Sequence, residues 1–358
     1  FFFQHLQCAW LKQKLSWVIG GLTIITAIAV IYLGVNPVDH LLGGYDRRYF
    51  TLVERLLTEP GIVVYYLALL ILPSPSRLTL LYNFPLATSF TGHYLTSLSF
   101  LTLLVMIGGA VVISRKDRLT GFAIIWFLIN LVIESSVLGL QLAFEHRTYL
   151  PSVFPIMAIV ALLFRYLRSV TLRVILLGLI MILFSAWTWQ RNLTWQDKIE
   201  FWYDCAAKTP LRADVHNNLG QVLMEQNHLD QAIFHFKRAL QLDPELSSAY
   251  TNMGLALSKN DKINAALKYH KEALALTPDN PHARYNLAMA LQSIGETDRS
   301  IKQLEKTLSI NPYFSPAAFK LGLAWQEKGD HQQALEYFEK TRQLDPGNSM
   351  TYNNLGIC

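Results

Sequence analysis

The chain has 358 residues, of which 52% are apolar and 16% are charged, and its formal net charge is +5. Intrinsic disorder, a collagen-like fibre and a disulfide-stapled secreted module are excluded, because the apolar content is high, only 19 residues are glycine and only three are cysteine. Residues 1–189 hold 13 of the 31 basic and 7 of the 26 acidic residues, a net charge of +6, whereas residues 190–358 carry −1. The composition therefore predicts two regions of different character joined end to end.

The cysteines and the ends of the sequence predict little chemistry. Cys8, Cys205 and Cys358 are too far apart for a CxxC or Cys/His motif, so no metal site is predicted. The sequence starts at Phe1 rather than Met and stops at Cys358, within a predicted helix. We therefore expect a fragment of a longer protein, with its N-terminal part missing.

Long apolar runs fill the first region. A transmembrane helix needs about 20 apolar residues, and runs of this kind lie at 16–35, 95–113, 120–140, 152–167 and 170–187. None alternates as barrel strands do, so all are predicted to be helices. The segment 49–72 has a shorter apolar run after Glu59-Pro60, and we predict an interfacial or re-entrant helix there. The sequence thus predicts a transmembrane region of five or six helices over residues 1–189.

Basic residues flank these runs in three clusters, which indicate the orientation of the helices. The clusters are Lys12 and Lys14; Arg115, Lys116 and Arg118; and Arg165, Arg168 and Arg173. If all three are cytoplasmic, the segments 36–94 and 141–151 and everything after about residue 188 lie outside. We therefore predict an integral protein of the bacterial inner membrane, in contact with lipid, with an extracytoplasmic C-terminal half. Because that half carries a net charge of −1, we predict no nucleic-acid partner.

A charged loop on the predicted outer side is the main candidate site of the membrane half. Glu134 lies near the outer end of its predicted span, and the next loop contains Glu145, His146 and Arg147 in succession. Arginine offers a bidentate fork and histidine a second donor, so these residues can bind a lipid phosphate. Arg77, in a proline-rich outer segment, can face phosphate as well or extend toward the headgroups. The alternative is that Arg147 pairs with Glu134 or Glu145 and locks two helix ends together.

The second region has a period of 34 residues. Proline recurs at positions 210, 244, 278, 312 and 346, and Leu219-Gly220 and Ala232 begin series of apolar and small residues with the same spacing. This pattern predicts tetratricopeptide repeats, each formed by two helices that cross at small residues. We predict four full repeats at 213–246, 247–280, 281–314 and 315–348, then a truncated fifth. Residues 190–212 are predicted to form a connecting helix and partial repeat.

One register of the first helices carries asparagine in most repeats. It contains Asn218, Asn252, Asn286 and Asn354, with Lys320 in the fourth repeat. An asparagine amide can pair with both the N–H and the C=O of an extended peptide, so the row predicts a polypeptide-binding face. The alternative is that these side chains only help the helices to pack. The six histidines of this half, at positions 216, 228, 235, 270, 282 and 331, share no register with carboxylates or cysteines and are predicted to be packing or surface residues.

A family resemblance rests on one string in the outer loop, which consists of Glu145, Arg147, Tyr149, Leu150, Pro151 and Ser152. Together with the multispan region and the repeats, it resembles the transmembrane and tetratricopeptide-repeat O-mannosyltransferases and their bacterial relatives. The resemblance implies a GT-C-type glycosyltransferase that transfers a sugar from a polyprenyl-phosphate donor to a protein hydroxyl on the extracytoplasmic side. No other cofactor is identified.

The family's catalytic acidic residues follow its first transmembrane helix, and this chain offers no counterpart. Asp39, Asp46, Glu54 and Glu59 lie too late and form no adjacent pair. No catalytic residue is therefore assigned, and the fragment itself is expected to be inactive.

Two functions stay open at this point. Every feature of residues 190–358 also fits a non-enzymatic, membrane-anchored scaffold for protein–protein interaction or envelope assembly. The charged outer loop of the membrane half favours the enzyme, because a simple anchor needs only one span and not five or six. In both cases the predicted fold is all-α, a polytopic helix bundle that forms the C-terminal part of a GT-C-like region, followed by a tetratricopeptide-repeat solenoid.

Overall fold

The computed structural model describes residues 45, 50–79, 82, 84–92, 94–132 and 145–357, except for the side chains of Val132, Glu145 and His146. Within these residues the chain is all-α, and it divides into two compact units between Thr194 and Trp195. The predicted fold class is confirmed. The predicted span at 16–35 lies outside the described residues.

The first unit is built from apolar helices. They are α1 (Leu52–Ile71), α2 (Tyr94–Ser114), α3 (Arg118–Val132), a 3₁₀ turn (Glu145–Thr148), α4 (Tyr149–Tyr166) and α5 (Val170–Gln196). Helices α2, α4 and α5 are long and apolar enough to cross a membrane, and the described part of α3 is apolar as well. None of the residues of α5 is buried, which is typical of a helix whose apolar side chains face lipid.

Helix α1 is the most protein-buried helix of this unit. It begins with a capping box in which the Glu54 backbone N–H donates to Thr51 Oγ1 and the Thr51 N–H donates to the Glu54 carboxylate. Ile62, Val63 and Tyr66 of α1 pack in one cluster with Phe127 and Leu131 of α3. Two hydrogen bonds anchor the following segment on α1, from the Ala87 N–H to Thr58 Oγ1 (2.9 Å) and from Tyr65 Oη to the Arg77 carbonyl (2.7 Å). Whether α1 is interfacial or re-entrant stays a prediction.

Two of the three basic clusters lie at the same end of the first unit. The turn between α2 and α3 meets the end of α4 through an ion pair between Arg165 Nη1 and Asp117 Oδ2, 3.7 Å apart. Helices α2, α3 and α4 pack in sequence, so the short turns after α2 and α4 come together. Lys12 and Lys14 lie outside the described residues.

The second unit is a stack of helix pairs. Its helices are α6 (Lys198–Lys208), α7 (Ala213–Glu225), α8 (Leu229–Leu242), α9 (Ser247–Lys259), α10 (Ile263–Leu276), α11 (Pro281–Ser293), α12 (Thr297–Ile310), α13 (Ser315–Glu327), α14 (His331–Leu344) and α15 (Ser349–Ile357). The pairs α7/α8, α9/α10, α11/α12 and α13/α14 form the four repeats, and each second helix also packs against the next first helix. Helix α6 packs on α7, as a second helix does on the following repeat.

Within each repeat, a small residue of the first helix faces a large residue of the second. A Cβ atom added to Gly220 would lie 2.7 Å from Phe236 Cε1, and one added to Gly322 would lie 2.6 Å from Phe338 Cε1. No real Cβ tolerates such contacts, so glycine is required where these rings cross. The third repeat has Ala288 in place of glycine, and the opposite residue is the smaller Leu304.

The turn between the two helices uses a left-handed residue at the same position of every repeat. Asn227, Asp261, Gly295 and Gly329 have φ of 64°, 55°, 80° and 81°. The N–H of the next residue bonds back into the first helix, for example from Glu296 to the Leu291 carbonyl at 3.0 Å. This is the Schellman arrangement, which satisfies carbonyls at the end of a helix.

We expect Gly295→Ala to lower the free energy of unfolding of the third repeat by about 1 kcal/mol, because alanine is strained at this φ. A Cβ at this position would meet no atom within 4 Å, so strain alone is tested. Asp261→Gly should change stability in the opposite direction by several tenths of a kcal/mol. The measurement is hydrogen–deuterium exchange of peptides from residues 247–314. Gly347→Ala, at a glycine without a left-handed φ, is the control, and equal effects at Gly295 and Gly347 would contradict the assignment.

Candidate functional site

The predicted asparagine row is a continuous feature of the first helices. Asn218, Asn252, Asn286 and Asn354 occupy the same position on α7, α9, α11 and α15, and all four are half-buried. Lys320 takes this position on α13 and is also half-buried. The repeats thus present one polar register along successive first helices, as the sequence predicts.

Hydrogen bonds divide this row into two kinds of asparagine. Asn252 Nδ2 donates to Oδ1 of the buried Asn217 in the preceding repeat (3.0 Å), and Asn354 Nδ2 donates to the Met350 carbonyl (2.8 Å). Within the described part of the chain, the amides of Asn218 and Asn286 form no such bond. Asn252 therefore serves packing between repeats, whereas the donors and acceptors of Asn218 and Asn286 are not used by the described chain.

An apolar row lies one helical turn from the asparagine row. Leu255, Met289 and Leu323 stand three residues after the row position in repeats two to four, so they share a helix face with it. All three are half-buried. Polar and apolar side chains thus run in parallel along this face, an arrangement suited to an extended peptide whose backbone and side chains need different partners.

The charged outer loop is described only in part. Glu145 and His146 lie in the 3₁₀ turn, but their side chains are outside the description, and Glu134 is outside the described residues altogether. Arg147 is half-buried in the same turn. The indole Nε1 of Trp126 in α3 donates to the Leu150 carbonyl (3.0 Å), and this bond fixes the start of α4 against α3.

Arg77 lies in a different environment from Arg147. It is exposed on a turn over residues 75–77, where its N–H donates to the Ser74 carbonyl and its own carbonyl accepts the Tyr65 hydroxyl. Its backbone is therefore fixed while its guanidinium is accessible. The assignment of Arg77 and of the loop residues to lipid phosphate stays a prediction.

A buried ion pair in α1 was not predicted from the sequence. Arg55 Nη2 lies 2.8 Å from Glu59 Oε1, and the two side chains are 0% and 4% exposed. The Arg55 guanidinium also lies 5.9 Å from the centroid of the Phe50 ring. The only sequence signal was the i,i+4 spacing of opposite charges on an apolar helix. Removing either partner would leave a buried charge, so the pair holds α1 to one rotational setting.

Histidines form two buried features in the repeats. His216 and His235 stack, with their Nδ1 atoms 3.1 Å apart and His216 Nε2 3.1 Å from the Pro210 carbonyl. Burial, and then the nearby His216, lower the pKa of His235 to about 4. Among the described residues, no group of three His, Cys, Asp or Glu side chains is placed to hold a metal ion.

His270 takes the place of a phenylalanine in the second repeat. The equivalent residues are Phe236, Leu304 and Phe338, and all are fully buried. Neither ring nitrogen of His270 has a hydrogen-bond partner, and burial lowers its pKa to about 4. These histidines are packing residues, in line with their sequence prediction.

Comparison with known families identifies the repeats. Models of the tetratricopeptide repeat match residues 213–246, 257–321 and 315–348. The first and last of these ranges coincide with predicted repeats, so this part of the predicted resemblance is confirmed. None of the matched models is that of a glycosyltransferase, and none of the curated proteins compared with the chain matches it.

Several solved structures are similar to part of this chain. A crystal structure of MamA is 30% identical, with 42% of this chain and 89% of that chain covered and a TM-score of 0.39. YrrB, described as a TPR protein with an unusual peptide-binding site, is 21% identical, with 43% and 80% covered and a TM-score of 0.38. MamA from Desulfovibrio magneticus RS-1 is 22% identical, with 42% and 85% covered and a TM-score of 0.38.

We expect His270→Phe to raise the free energy of unfolding of the second repeat by about 1–3 kcal/mol at pH 7, because it removes two buried nitrogens without partners. Gly254 faces His270 as Gly220 faces Phe236, so the larger ring has a precedent in this chain. Hydrogen exchange of peptides from residues 247–280 measures the change. His331→Phe, at an exposed position, should give no gain, and an equal gain there would contradict the explanation.

His270→Phe should also reduce the loss of folding stability at low pH. Between the ordinary histidine pKa of 6.5 and the folded value of about 4, the unfolded chain binds a proton that the folded chain does not. The free energy of unfolding therefore falls as pH falls through this range, by on the order of 3 kcal/mol for His270. His270→Phe should lose this contribution and keep the one from His235.

Proposed function

We propose that the chain is a membrane-anchored scaffold whose tetratricopeptide repeats bind an extended segment of another polypeptide. The observation that carries the proposal is the parallel pair of rows on the first helices, in which the amides of Asn218 and Asn286 have no partner in the described chain. The apolar helices α2, α4 and α5 supply the anchor.

The chemistry of the two rows indicates how such a segment is held. A side-chain amide has one oxygen acceptor and two N–H donors, so it can bond the backbone of an extended peptide without reading its sequence. Leu255, Met289 and Leu323 offer apolar contact to side chains on one side of that peptide. Lys320, which forms no ion pair among the described residues, adds one positive charge within the row. These features favour an apolar segment with few positive charges.

Peptide selection tests the proposal. The full chain, reconstituted in lipid nanodiscs, is used to select from a phage library of random 12-residue peptides. We expect enrichment of peptides rich in apolar residues, and we expect Asn218→Ala/Asn286→Ala to weaken binding of the selected peptides by about tenfold or more, because two hydrogen-bonding groups are lost.

Asn264→Ala is the matched control, since Asn264 is exposed on the second helix α10. It should leave binding unchanged. The proposal fails if no peptide is enriched over empty nanodiscs, or if Asn264→Ala weakens binding as much as the double variant does.

A second candidate function is the glycosyltransferase activity implied by the resemblance. It is supported by the half-buried position of Arg147 directly before α4, which leaves the guanidinium in a partly desolvated place at a helix end. In this reaction a carboxylate takes the proton of the acceptor hydroxyl while the lipid phosphate departs with inversion at the sugar. Arg147 would stabilise the charge on the departing phosphate. The repeats would hold the acceptor polypeptide.

For this candidate we expect Arg147→Ala in the intact protein to reduce sugar transfer at least a hundredfold while membrane insertion is retained. The assay follows a labelled sugar from a polyprenyl-phosphate donor to a hydroxyl-containing peptide. Arg147→Lys should recover part of the activity, because it keeps the charge and loses the fork. Unchanged transfer by Arg147→Ala would exclude this role.

A further inference from the structure

Six basic side chains gather at one end of the membrane helices. They are Arg115, Lys116 and Arg118 around the turn between α2 and α3, and Arg165, Arg168 and Arg173 around the turn between α4 and α5. All are exposed except Arg173, which is half-buried. We call this set the basic end. It lies at the opposite end of α4 from Arg147.

Asp117 is the only carboxylate that pairs with any of these cations among the described residues. The Asp117 carboxylate also binds the first turn of α3, because Oδ1 accepts hydrogen bonds from the N–H groups of Leu119 and Thr120 at 3.1 and 3.3 Å. The Thr120 backbone bond is the main cause that lowers the pKa of Asp117. The carboxylate is therefore ionised and joins the two turns through Arg165, but it balances only one of six positive charges.

The side chain of Arg173 shows how the basic end is organised. Its Nε donates to the Leu167 carbonyl and its Nη2 donates to the Arg168 carbonyl at 3.5 Å, while the guanidinium lies 5.3 Å from the Phe164 ring centroid. These partners carry no net charge, so the positive charge of Arg173 is retained. Arg173 thus closes the second turn and holds a cation at a fixed place beside Arg165 and Arg168.

Apolar surface begins directly beside these cations. Val112 near the end of α2 is 62% exposed, and Val170 and Leu172 at the start of α5 are 67% and 49% exposed. A surface that is cationic at the helix ends and apolar along the helices matches the two parts of a phospholipid, an anionic headgroup and acyl chains. A free anion would use only the first of these parts.

We propose that the basic end binds the headgroup of an anionic phospholipid, with the phosphate between the turn of Arg115 and Lys116 and the turn of Arg168. The acyl chains lie against the exposed apolar side chains of α2 and α5. The two turns are held together by the Asp117–Arg165 pair, so the site requires no large rearrangement. The inference concerns the membrane helices alone, and it stands whether or not the repeats bind peptide.

Native mass spectrometry of the full chain in detergent, with added phosphatidylglycerol or phosphatidylcholine, tests the proposal. We expect phosphatidylglycerol to be retained in preference to phosphatidylcholine. Arg115→Gln/Lys116→Gln/Arg168→Gln should weaken its binding about a hundredfold, or about fivefold for each charge. None of these three side chains forms an ion pair among the described residues, so their loss should leave the fold intact.

Lys237→Gln/Lys268→Gln/Lys271→Gln removes the same net charge from exposed positions of the repeats and should not alter lipid binding. Arg115→Lys/Arg168→Lys keeps the charges and should retain most of the affinity. Equal retention of the two lipids, or equal loss in the two glutamine variants, would overturn the proposal. Complete displacement of phosphatidylglycerol by an equal concentration of inorganic phosphate would show an anion site instead of a lipid site.

Discussion

The crossing of two helices at a residue without a side chain is the contact on which the repeat half depends. Where the ring of Phe236 crosses Gly220, a Cβ atom added to the glycine would lie 2.7 Å from Cε1 of the ring. The two helices therefore approach more closely than side chains on both of them would allow. This close approach buries Ala232 and Phe236 completely. A small residue faces a larger one at this place in every repeat, at a spacing of 34 residues, and equivalent residues of successive first helices share one register. The row that contains Asn218 and Asn286 is a consequence of this geometry.

The third repeat shows that the combined size of the two facing residues is constrained, and that glycine itself is not required there. Ala288 adds one methyl group to the crossing, and the facing Leu304 is smaller than the phenylalanine of other repeats, so both residues are still fully buried. Ser300, in the series begun by Ala232, donates its hydroxyl to the Ala288 carbonyl at 2.8 Å. Its added polar atom is therefore satisfied inside the core. The three changes are compatible with each other, so the crossing of this repeat stays buried although its residues differ.

Much of this architecture could be predicted from the sequence because it rests on periodic patterns. The spacing of the prolines from Pro244 onward fixes the repeats, and the apolar runs fix α2, α4 and α5. What could not be predicted are contacts between residues without a common period. The hydrogen bond from Asn252 to Asn217 depends on the stacking distance of two repeats. Because of this bond, Asn252 has a different role from Asn218 and Asn286, although all three lie in one row. The Arg55–Glu59 pair depends on which face of α1 is covered, and an apolar helix with two opposite charges does not reveal this.

Charge is used differently in the two units, and this explains why the net charge alone says little about function. In the first unit, Arg55 is neutralised inside the protein by Glu59, because a buried charge without a partner is costly. The cations of the basic end, by contrast, lie at helix ends with one carboxylate among them. In the proposed lipid site, the partner of these cations comes from an anionic headgroup and not from the chain. The cations of the basic end thus lie at the ends of apolar helices, whereas the row of the repeats that contains Asn218 and Asn286 presents amides beside apolar side chains.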